Sequence, residues 1–455
     1  MRLSRRHILH LLGASGLVLP HLALAQADDD LDVIVIGGGV AGLSAARALT
    51  KDGYKVVVLE AANRLGGRLH TDRALGAAVE LGARWIHGPD GNPISDLAKA
   101  AHARLYETDF DSEQVFKASG GAVDEDTLDA AYDRYAAMMK RVPHVASKAH
   151  DLSLAEAFRR IDPEALDVPL IRMIASAWTE SDIGGPLEQI SAAWFDEDEN
   201  FPGDDVILPD GYDKILSPLA QGIDFRLSMT VTSIAYAKDG VTVQAMDRDG
   251  KSVTFESDFA VCALPLGVLK KGTVTFDPPL PEDTTKAIQA IGLGSVAKTA
   301  LKFPHVFWPE ETQFFGYAGE SRGRWPAVFN MQTYSNANIL MPVSFGAYAM
   351  TADAMDDRAL EADVMTALKA MFGSAIPEPV ALLRSRWSQD PLAGGAYSFP
   401  QVGCTEAHYD QFTKPVGGVL AFAGEHTIFD HHATIHGAYL SGQDAADTIG
   451  DLDPN

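Results

Sequence analysis

The most regular part of the hydrophobic pattern lies near the start of the chain, at residues 32–60. Four consecutive apolar residues at 33–36 are typical of a buried parallel strand, and residues 55–59 form a second run of this kind. The pattern between them is helical, and Gly53 stands where that helix should end. The succession of strand, helix and strand predicts a βαβ unit, and therefore an α/β fold with a parallel sheet.

Three glycines of this unit have the G-x-G-x-x-G spacing of a dinucleotide-binding turn. Gly37 permits the tight turn, Gly39 lets a pyrophosphate approach the backbone, and Gly42 lets the helix pack on the strand. The helix N-terminus supplies N–H donors and a positive dipole to the phosphates. Glu60 ends the second strand, where a carboxylate can bond a ribose diol, which argues against NADP. The unit therefore predicts a dinucleotide site.

Further along the chain, helical and alternating patterns follow one another. Residues 128–139 and 153–160 are amphipathic with a helical period, whereas residues 227–243 and 252–264 alternate like strands. We expect these strands to extend the first sheet in antiparallel fashion. The order of segments predicts two interleaved domains: a cofactor-binding domain of residues 28–90, 206–292 and 400–455, and a substrate-binding domain of residues 91–205 and 293–399.

A second glycine pattern, G-x-G-x-x-A at residues 292–297, has the wrong surroundings for a nucleotide site. Residues 283–291 before it have a helical period, and residues 295–303 after it alternate like a strand. A nucleotide turn needs the opposite order, strand then helix. We therefore expect no second nucleotide site there.

Length, composition and net charge limit which molecules the protein is expected to bind. The chain has 455 residues, is 46% hydrophobic and carries a formal net charge of −25. It is long enough to bury a large core, and its acidity makes nucleic acid an unfavourable partner. The same acidity suits a polycationic substrate. Cys262, in an apolar run, is expected to be a buried thiol, so the two cysteines imply no disulfide framework.

The first 25 residues have the features of a twin-arginine export signal. Arg5 and Arg6 precede an apolar stretch that closes at an A-x-A pattern, residues 23–25. Pro20 and two histidines interrupt that stretch, so it is too polar for a stable membrane anchor. We expect the twin-arginine machinery to export the folded protein, which would be periplasmic or secreted.

Two segments, EAANRLGGRLHT at 60–71 and ELGARWIHG at 80–88, resemble the flavin-containing amine oxidases, most closely the polyamine oxidase branch. The resemblance implies an FAD-binding Rossmann-like domain interleaved with a mixed-sheet plus helical substrate domain. It also implies that the dinucleotide is FAD. Residues that would lie along FAD or under its flavin ring are Arg64, Gly66, Gly67, Arg68, Gly82, Ala83, Arg84 and Trp85.

Other segments of the same resemblance assign chemistry to single residues. In GLGSVAKTALKF, residues 292–303, Lys298 matches the lysine that holds a water against flavin N5, and Lys302 is the surface alternative. Tyr397 matches one wall of an aromatic cage for the amine. Ala396 stands where relatives with a covalently bound flavin have cysteine, so the resemblance implies non-covalent FAD. Trp387 precedes this segment and would contact the cofactor.

The C-terminal block completes the predicted cofactor contacts. Glu425 matches an acid that bonds the ribityl or phosphate part of FAD, and Val231 would contact the adenine through its backbone. A helix opening near Thr434 and Ile435 would point at the pyrimidine end of the flavin, where its dipole stabilises negative charge. Some relatives have a second tyrosine at the Thr434 position, so this cage would have one aromatic wall and accept a bulkier or internal amine.

Two residues are candidates for contacting the substrate. His87 either lines the substrate tunnel or packs in the interior. Glu180 is the leading candidate for a carboxylate that binds a distal ammonium, with a solvated acid at a helix end as the alternative.

The resemblance implies oxidation of a C–N bond by hydride transfer to flavin N5, followed by imine hydrolysis and reduction of O₂ to H₂O₂. The expected substrate is a polyamine such as spermine or spermidine. The alternatives are a monoamine or L-amino-acid oxidase, an amine dehydrogenase that uses a periplasmic carrier, and a non-catalytic FAD-binding protein. An amino-acid oxidase needs an arginine for the α-carboxylate, and Arg84, Arg322 and Arg324 are the candidates.

Overall fold

A computed structural model of the chain describes residues 31–197 and 199–453. The predicted export signal, residues 1–25, lies outside the described residues. Among those that are described, no helix is both long enough and apolar enough to cross a membrane.

The strands of the described chain are short in the connecting segments and longer in two main sheets. They are β1 (Leu31–Ile36), β2 (Val56–Glu60), β3 (Thr71–Asp72), β4 (Val79–Glu80), β5 (Trp85–Ile86), β6 (Tyr106–Glu107), β7 (Glu113–Lys117), β8 (Val206–Ile207), β9 (Asp224–Leu227), β10 (Thr230–Ala237), β11 (Gly240–Met246), β12 (Ser252–Cys262), β13 (Thr275–Asp277), β14 (Gly292–Leu293), β15 (Val296–Lys302), β16 (Phe314–Ala318), β17 (Ala327–Asn330), β18 (Ile339–Phe345), β19 (Ala381–Arg384), β20 (Ser398–Phe399) and β21 (Leu420–Phe422).

The helices are α1 (Val40–Lys51), α2 (Pro93–Ala100), α3 (Glu125–Met139), α4 (Val142–Val145), α5 (Leu154–Ile161), α6 (Pro169–Ile174), α7 (Ser181–Ile183), α8 (Leu216–Leu219), α9 (Leu266–Lys271), α10 (Glu282–Ala290), α11 (Gln332–Ser335), α12 (Gly346–Ala354), α13 (Asp357–Phe372), α14 (Glu406–Tyr409) and α15 (Ile435–Leu452). Ala175–Glu180 is a π-helix between α6 and α7.

The first sheet is built around the predicted βαβ unit. Strand β1 pairs in parallel with β2 on one side and with β12 on the other. The strand order is β13-β10-β11-β12-β1-β2-β9, and β21 also pairs with β12. Val33 and Val35 pack with α1 and α15, whereas Ile34 and Ile36 pack in the core on the other face, because successive residues of a strand alternate between faces.

The antiparallel extension of this sheet agrees with the alternating sequence pattern. Strand β10 pairs antiparallel with β11, and β11 pairs antiparallel with β12. The predicted helices are also present as α3 and α5. Cys262 and Cys404 are both buried and both free, as the absence of a disulfide framework requires.

The second sheet has the strand order β19-β15-β18-β17-β16-β7. Its edge strand β7 comes from the segment before the helices α3 to α6 and pairs in parallel with β16, about 200 residues further along the chain. Sequence patterning did not predict β7. The second glycine pattern lies between α10 and β15, in the order helix then strand, so no βαβ turn forms there, as predicted.

Candidate active site

A large cavity of about 1020 Å³ joins the glycine loop of the first sheet to one face of the second sheet. Gly37 and Gly39 line one part of it, and Lys298, Tyr397 and Trp178 line another. The cavity therefore connects the residues predicted to bind a dinucleotide with those predicted to act on a substrate.

The glycine loop is tightly packed against the protein at Gly37 and Gly42, whereas Gly39 has free space beside it on the cavity side. Gly37 has φ +110°, and a Cβ there would lie 2.7 Å from the carbonyl oxygen of Ala263. A Cβ on Gly42 would lie 2.0 Å from the carbonyl oxygen of Gly37, so only glycine lets α1 pack this closely. At Gly39, by contrast, nothing lies within 4 Å of a Cβ. This bare backbone before α1 is the arrangement that a pyrophosphate needs.

Glu60 stands at the end of β2 on the cavity wall. Its two carboxylate oxygens each accept a backbone N–H, from Gly38 and Ala62, at 2.7 Å. Burial raises the pKa of Glu60, and these two hydrogen bonds oppose that rise. The N–H bonds fix the carboxylate in position, and each oxygen keeps a lone pair for a ribose hydroxyl.

Arg64 organises the turn that follows β2. Its guanidinium donates to the carbonyl of Gly67 at 2.8 Å and to the carbonyls of Leu65 and Leu69 at 3.3 Å. Gly67 has φ +57°, in the left-handed region that favours glycine. Arg64 and Gly67 both line the cavity, so the turn presents backbone and guanidinium together.

Buried Glu425 and partly buried Arg68 form an ion pair on the cavity wall, with 2.7 Å between Nη1 and Oε1. The Glu425 carboxylate also accepts from the hydroxyl of Ser398 at 2.6 Å and the N–H of Ala433 at 3.0 Å. Burial alone would raise the pKa of Glu425, but Arg68 and the hydrogen bonds hold it at about 2. Glu425 is therefore ionised, and it ties the loop before α15 to β20.

The neighbouring His426 gives a direct test of whether a cofactor fits. Its ring is buried and lines the cavity, yet neither Nδ1 nor Nε2 has a hydrogen-bond partner in the described chain. Burial lowers the pKa of His426 to about 4, so the ring is neutral. A buried polar group without a partner is costly, and a ligand in the cavity would supply one. Together with the open backbone at Gly39, this shows that the residues present fit a dinucleotide.

Lys298 lies at the middle of β15 and faces the cavity. Its Nζ donates to the carbonyl oxygen of Gly82, and burial, aided by the charge of Arg84, lowers its pKa to about 7. Lys302, two residues on, instead donates to the carbonyl of Leu75 at 2.8 Å and does not line the cavity. With this lowered pKa, Lys298 can gain or lose a proton near neutral pH.

Tyr397 and Thr434 both lie on the cavity wall. The Tyr397 hydroxyl donates to the carbonyl oxygen of Ser181, which leaves the ring to face the cavity. The Thr434 hydroxyl caps α15: it accepts from the N–H of Gly437 at 2.8 Å and donates to the carbonyl of His431 at 2.8 Å. Further predicted cofactor residues on the wall are Gly82, Ala83, Trp85, Val231, Trp387 and Ile435.

Arg84 is held among aromatic rings. The guanidinium carbon lies 5.2, 4.7 and 5.1 Å from the ring centres of Trp85, Phe329 and Tyr334, and Nη1 donates to the Tyr334 hydroxyl at 3.1 Å. Such cation–π contacts hold the charge in place. They also leave Arg84 buried, with 6% of its surface exposed.

His87 lies on the cavity wall rather than in the interior. Its Nδ1 is 2.7 Å from Oδ2 of Asp205, whose other oxygen accepts the N–H of Gly88 at 3.1 Å. Burial disfavours the charged imidazole, but the hydrogen bond and charge of Asp205 outweigh it, so the pKa of His87 is raised.

The structure contradicts the prediction that Glu180 binds the substrate. Glu180 ends the π-helix, is 1% exposed and does not line the cavity. Its carboxylate already accepts from Nε of Arg322 at 2.9 Å, from Ser176 at 2.8 Å and from the N–H of Leu187 at 3.1 Å. An internal arginine neutralises the charge, so Glu180 belongs to a structural ion pair.

Sequence patterning missed the aromatic part of the cavity wall and a carboxylate within it. The wall residues concerned are Phe110, Glu113, Trp178, Phe314 and Phe329. Phe110 lies just before β7 and Glu113 begins it, whereas the other three come from the π-helix, β16 and β17. The pairing of β7 with β16 brings Phe110 and Glu113 to this wall. Local sequence carries no signal for that long-range pairing.

The parallel βαβ unit, the open glycine loop and the enclosed cavity define a dinucleotide-dependent oxidoreductase. The family described as flavin containing amine oxidoreductase matches residues 40–450, and the chain belongs to that family. Polyamine oxidase 4 of Oryza sativa subsp. japonica is 32% identical over 460 residues, which cover 96% of this chain and 92% of the relative. Human lysine-specific histone demethylase 2 is 31% identical, over 97% of this chain and 57% of the relative.

A solved structure of putrescine oxidase bound to putrescine has the same fold, with a TM-score of 0.75 and 23% identity over 92% of this chain and 99% of that chain. The protein is a flavin-dependent amine oxidase, and its cofactor is FAD.

Proposed function

We propose that the protein oxidises a polyamine, with O₂ as the electron acceptor and H₂O₂ as a product. The observation that carries this proposal is the continuity of the cavity, which leads from the glycine loop past Lys298 and Tyr397 to a wall of aromatic and acidic side chains. The likeness to polyamine oxidase over nearly the whole chain supports the same substrate class.

Bound FAD would supply the redox chemistry, namely acceptance of a hydride from the carbon next to the amine nitrogen and delivery of the electrons to O₂. The chain itself supplies position and a dry environment. Glu60 would bind the ribose, the loop from Gly37 to Gly42 the phosphates, and the N-terminus of α15 the flavin end. The ring of Tyr397 orients the amine, and its enclosed surroundings favour the uncharged nitrogen that donates the hydride.

Lys298 is proposed to hold a water molecule in the cavity through its Nζ. Its pKa of about 7 lets that nitrogen gain or lose a proton near neutral pH. A positioned proton donor of this kind stabilises charge that develops during oxygen reduction or imine hydrolysis. We propose that this is the catalytic role of Lys298.

The geometry favours an amine over an amino acid as substrate. Arg322 is bound to Glu180 and Glu188, and Arg324 is bound to Asp363 at 2.7 Å. Neither arginine lines the cavity. Arg84 does line it, but three aromatic rings enclose its guanidinium.

We further propose that FAD is bound without a covalent link and that the enzyme is exported. Ala396 lines the cavity and has no thiol for attachment. Acid or heat denaturation should therefore release all of the yellow chromophore into the supernatant, and flavin retained on the washed precipitate would contradict this. Export rests on the N-terminal sequence, and fractionation of cells that express the full chain would test it.

The substrate proposal is tested with a panel of spermine, spermidine, putrescine, simple monoamines and L-amino acids, measured by peroxide release. Polyamines should give the highest kcat/KM. A higher kcat/KM for a monoamine or an amino acid than for every polyamine would overturn the proposed substrate class. Flavin bleaching without peroxide would indicate a dehydrogenase instead.

A further inference from the structure

One face of the second sheet contributes residues from several strands to the cavity wall. Strand pairing places one row of residues directly across the sheet, from β15 to the edge strand β7. That row is Lys298, Val343, Ala327, Gly316 and Val115. Paired residues on neighbouring strands share a face, so this row shares the face of Lys298.

Glu113 lies two residues before Val115 on β7 and therefore points to the same face. It lines the cavity, as Lys298 does. Four inter-strand steps separate the two residues, or roughly 19 Å at about 4.8 Å per step. Lys298 and Glu113 thus line the same cavity and lie on the same face of the sheet, four strand positions apart.

The described surroundings of Glu113 provide no cationic partner, and burial raises the pKa of its carboxyl group. The Tyr132 hydroxyl donates to Oε2 at 2.7 Å, and Nε1 of Trp178 donates to that hydroxyl at 3.2 Å. No lysine, arginine or histidine among the described residues forms an ion pair with Glu113. Two other carboxylates of the wall do have such partners, since Glu425 is paired with Arg68 and Asp205 with His87.

Aromatic faces complete the surroundings. Phe110 stacks on Phe314 with 5.5 Å between ring centres and packs 6.0 Å from Trp178. Phe110 and Trp178 are 41% and 46% exposed, so they stand where the cavity meets solvent. A half-buried carboxylate among aromatic rings suits an organic cation, because carboxylate and ring faces both attract positive charge.

We propose that Glu113, with the rings of Phe110 and Trp178, binds the remote ammonium group of a long polyamine whose reacting carbon lies near Lys298. This assignment rests on the proposed function and replaces Glu180 as the recognition carboxylate. It predicts that the length of the substrate, as well as its charge, determines how well it is bound.

The separation across the sheet selects long substrates. An extended chain advances roughly 1.25 Å per bond for bond lengths near 1.5 Å, so spermine, with 13 bonds between its terminal nitrogens, spans about 16 Å. Putrescine, with 5 such bonds, spans about 6 Å on the same basis. Spermine therefore spans most of the distance between Lys298 and Glu113, whereas putrescine spans less than half of it.

The test compares holoenzyme and the Glu113→Gln variant on spermine, spermidine, putrescine and butylamine. For spermine, kcat/KM should fall roughly ten- to a hundredfold, the range for loss of a charge-assisted bond. Putrescine and butylamine should change less than about twofold, because neither reaches Glu113. Glu107→Gln, the same change at an exposed acid of β6 outside the cavity, should leave all four substrates unchanged.

Tyr132→Phe is a second test, and its result does not depend on whether Glu113→Gln folds correctly. It retains the carboxylate but removes its hydrogen bond, and should lower kcat/KM for spermine a few-fold while sparing butylamine. Equal losses for all substrates, or none, in these variants would overturn the assignment. Failure of the wild-type holoenzyme to oxidise any amine would instead overturn the proposed function, whereas amine oxidation without preference for length would overturn the Glu113 assignment alone.

Discussion

The two ends of the cavity are built in different ways. At the dinucleotide end, Gly37, Gly39, Gly42 and Glu60 come from one stretch of 24 residues, and the backbone conformation of that stretch shapes the site. At the substrate end, Lys298 and Glu113 come from strands separated by three others in the sheet. The first end is a local motif, and the second is a product of tertiary pairing.

The two ends of the cavity should therefore respond differently to amino-acid substitution. The dinucleotide end depends on the absence of side chains, so added atoms should disrupt folding or cofactor binding. The substrate end depends on single side chains that project from a rigid sheet, so truncation there should alter rates and leave the fold intact. The following predictions test that contrast, from the largest expected effect to the smallest.

Gly42→Ala should abolish the holoenzyme, whereas Gly39→Ala should only weaken FAD binding. A Cβ at position 42 would lie 2.0 Å from a backbone oxygen that cannot move away, a cost above the usual overpacking range of about 1 to 3 kcal/mol. A Cβ at position 39 meets no protein atom and intrudes only where the pyrophosphate binds. Thermal unfolding of the apoprotein and flavin content per chain distinguish the two. Equal stability of the two apoproteins would contradict the account.

Arg68→Gln should destabilise the protein by about 3 to 5 kcal/mol at pH 7, because it leaves the buried charge of Glu425 without its partner. The native pair also has a defined pH dependence. The carboxyl of Glu425 has a lowered pKa of about 2, so the stability it contributes is full above about pH 4.5 and is lost as pH falls towards 2. Urea unfolding at pH 7 and at pH 3 measures both effects. A variant as stable as the wild type at pH 7 would show that Arg68 is dispensable for the fold.

Lys298→Met should retain fold and FAD and slow the flavin chemistry roughly ten- to a thousandfold, the range for removal of one positioned polar group. Lys302→Met is the matched control, since that lysine donates to Leu75 outside the cavity. Stopped-flow rates of reduction and re-oxidation provide the measurement. Unchanged rates in both half-reactions would make Lys298 a structural residue.

Glu180→Gln should have the smallest effect on catalysis. It weakens the bond to Arg322 and should cost about 1 to 3 kcal/mol of stability, while the ranking of amine substrates stays the same. A selective loss of polyamine activity in this variant would restore the substrate role that the structure contradicts.

The same contrast explains what the sequence could predict. The βαβ unit, the antiparallel extension and the rejection of the second glycine pattern depend on local periodicity and turn chemistry, and all three are observed. The partner of Glu180 could not be predicted in this way, because Arg322 lies 142 residues away along the chain. The position of Glu113 on the cavity wall could not be predicted either, because β7 is a short edge strand whose partner lies far along the chain.

The most direct test of the whole account is a single-turnover measurement on purified holoenzyme. Spermine is mixed with the enzyme without oxygen while the flavin absorbance is recorded, and O₂ is then admitted while peroxide is measured. The account predicts complete bleaching by spermine, faster than by butylamine, and full recovery of colour with about one H₂O₂ per flavin. A flavin that stays oxidised with every amine, or that is reduced but does not recover with O₂, would contradict it.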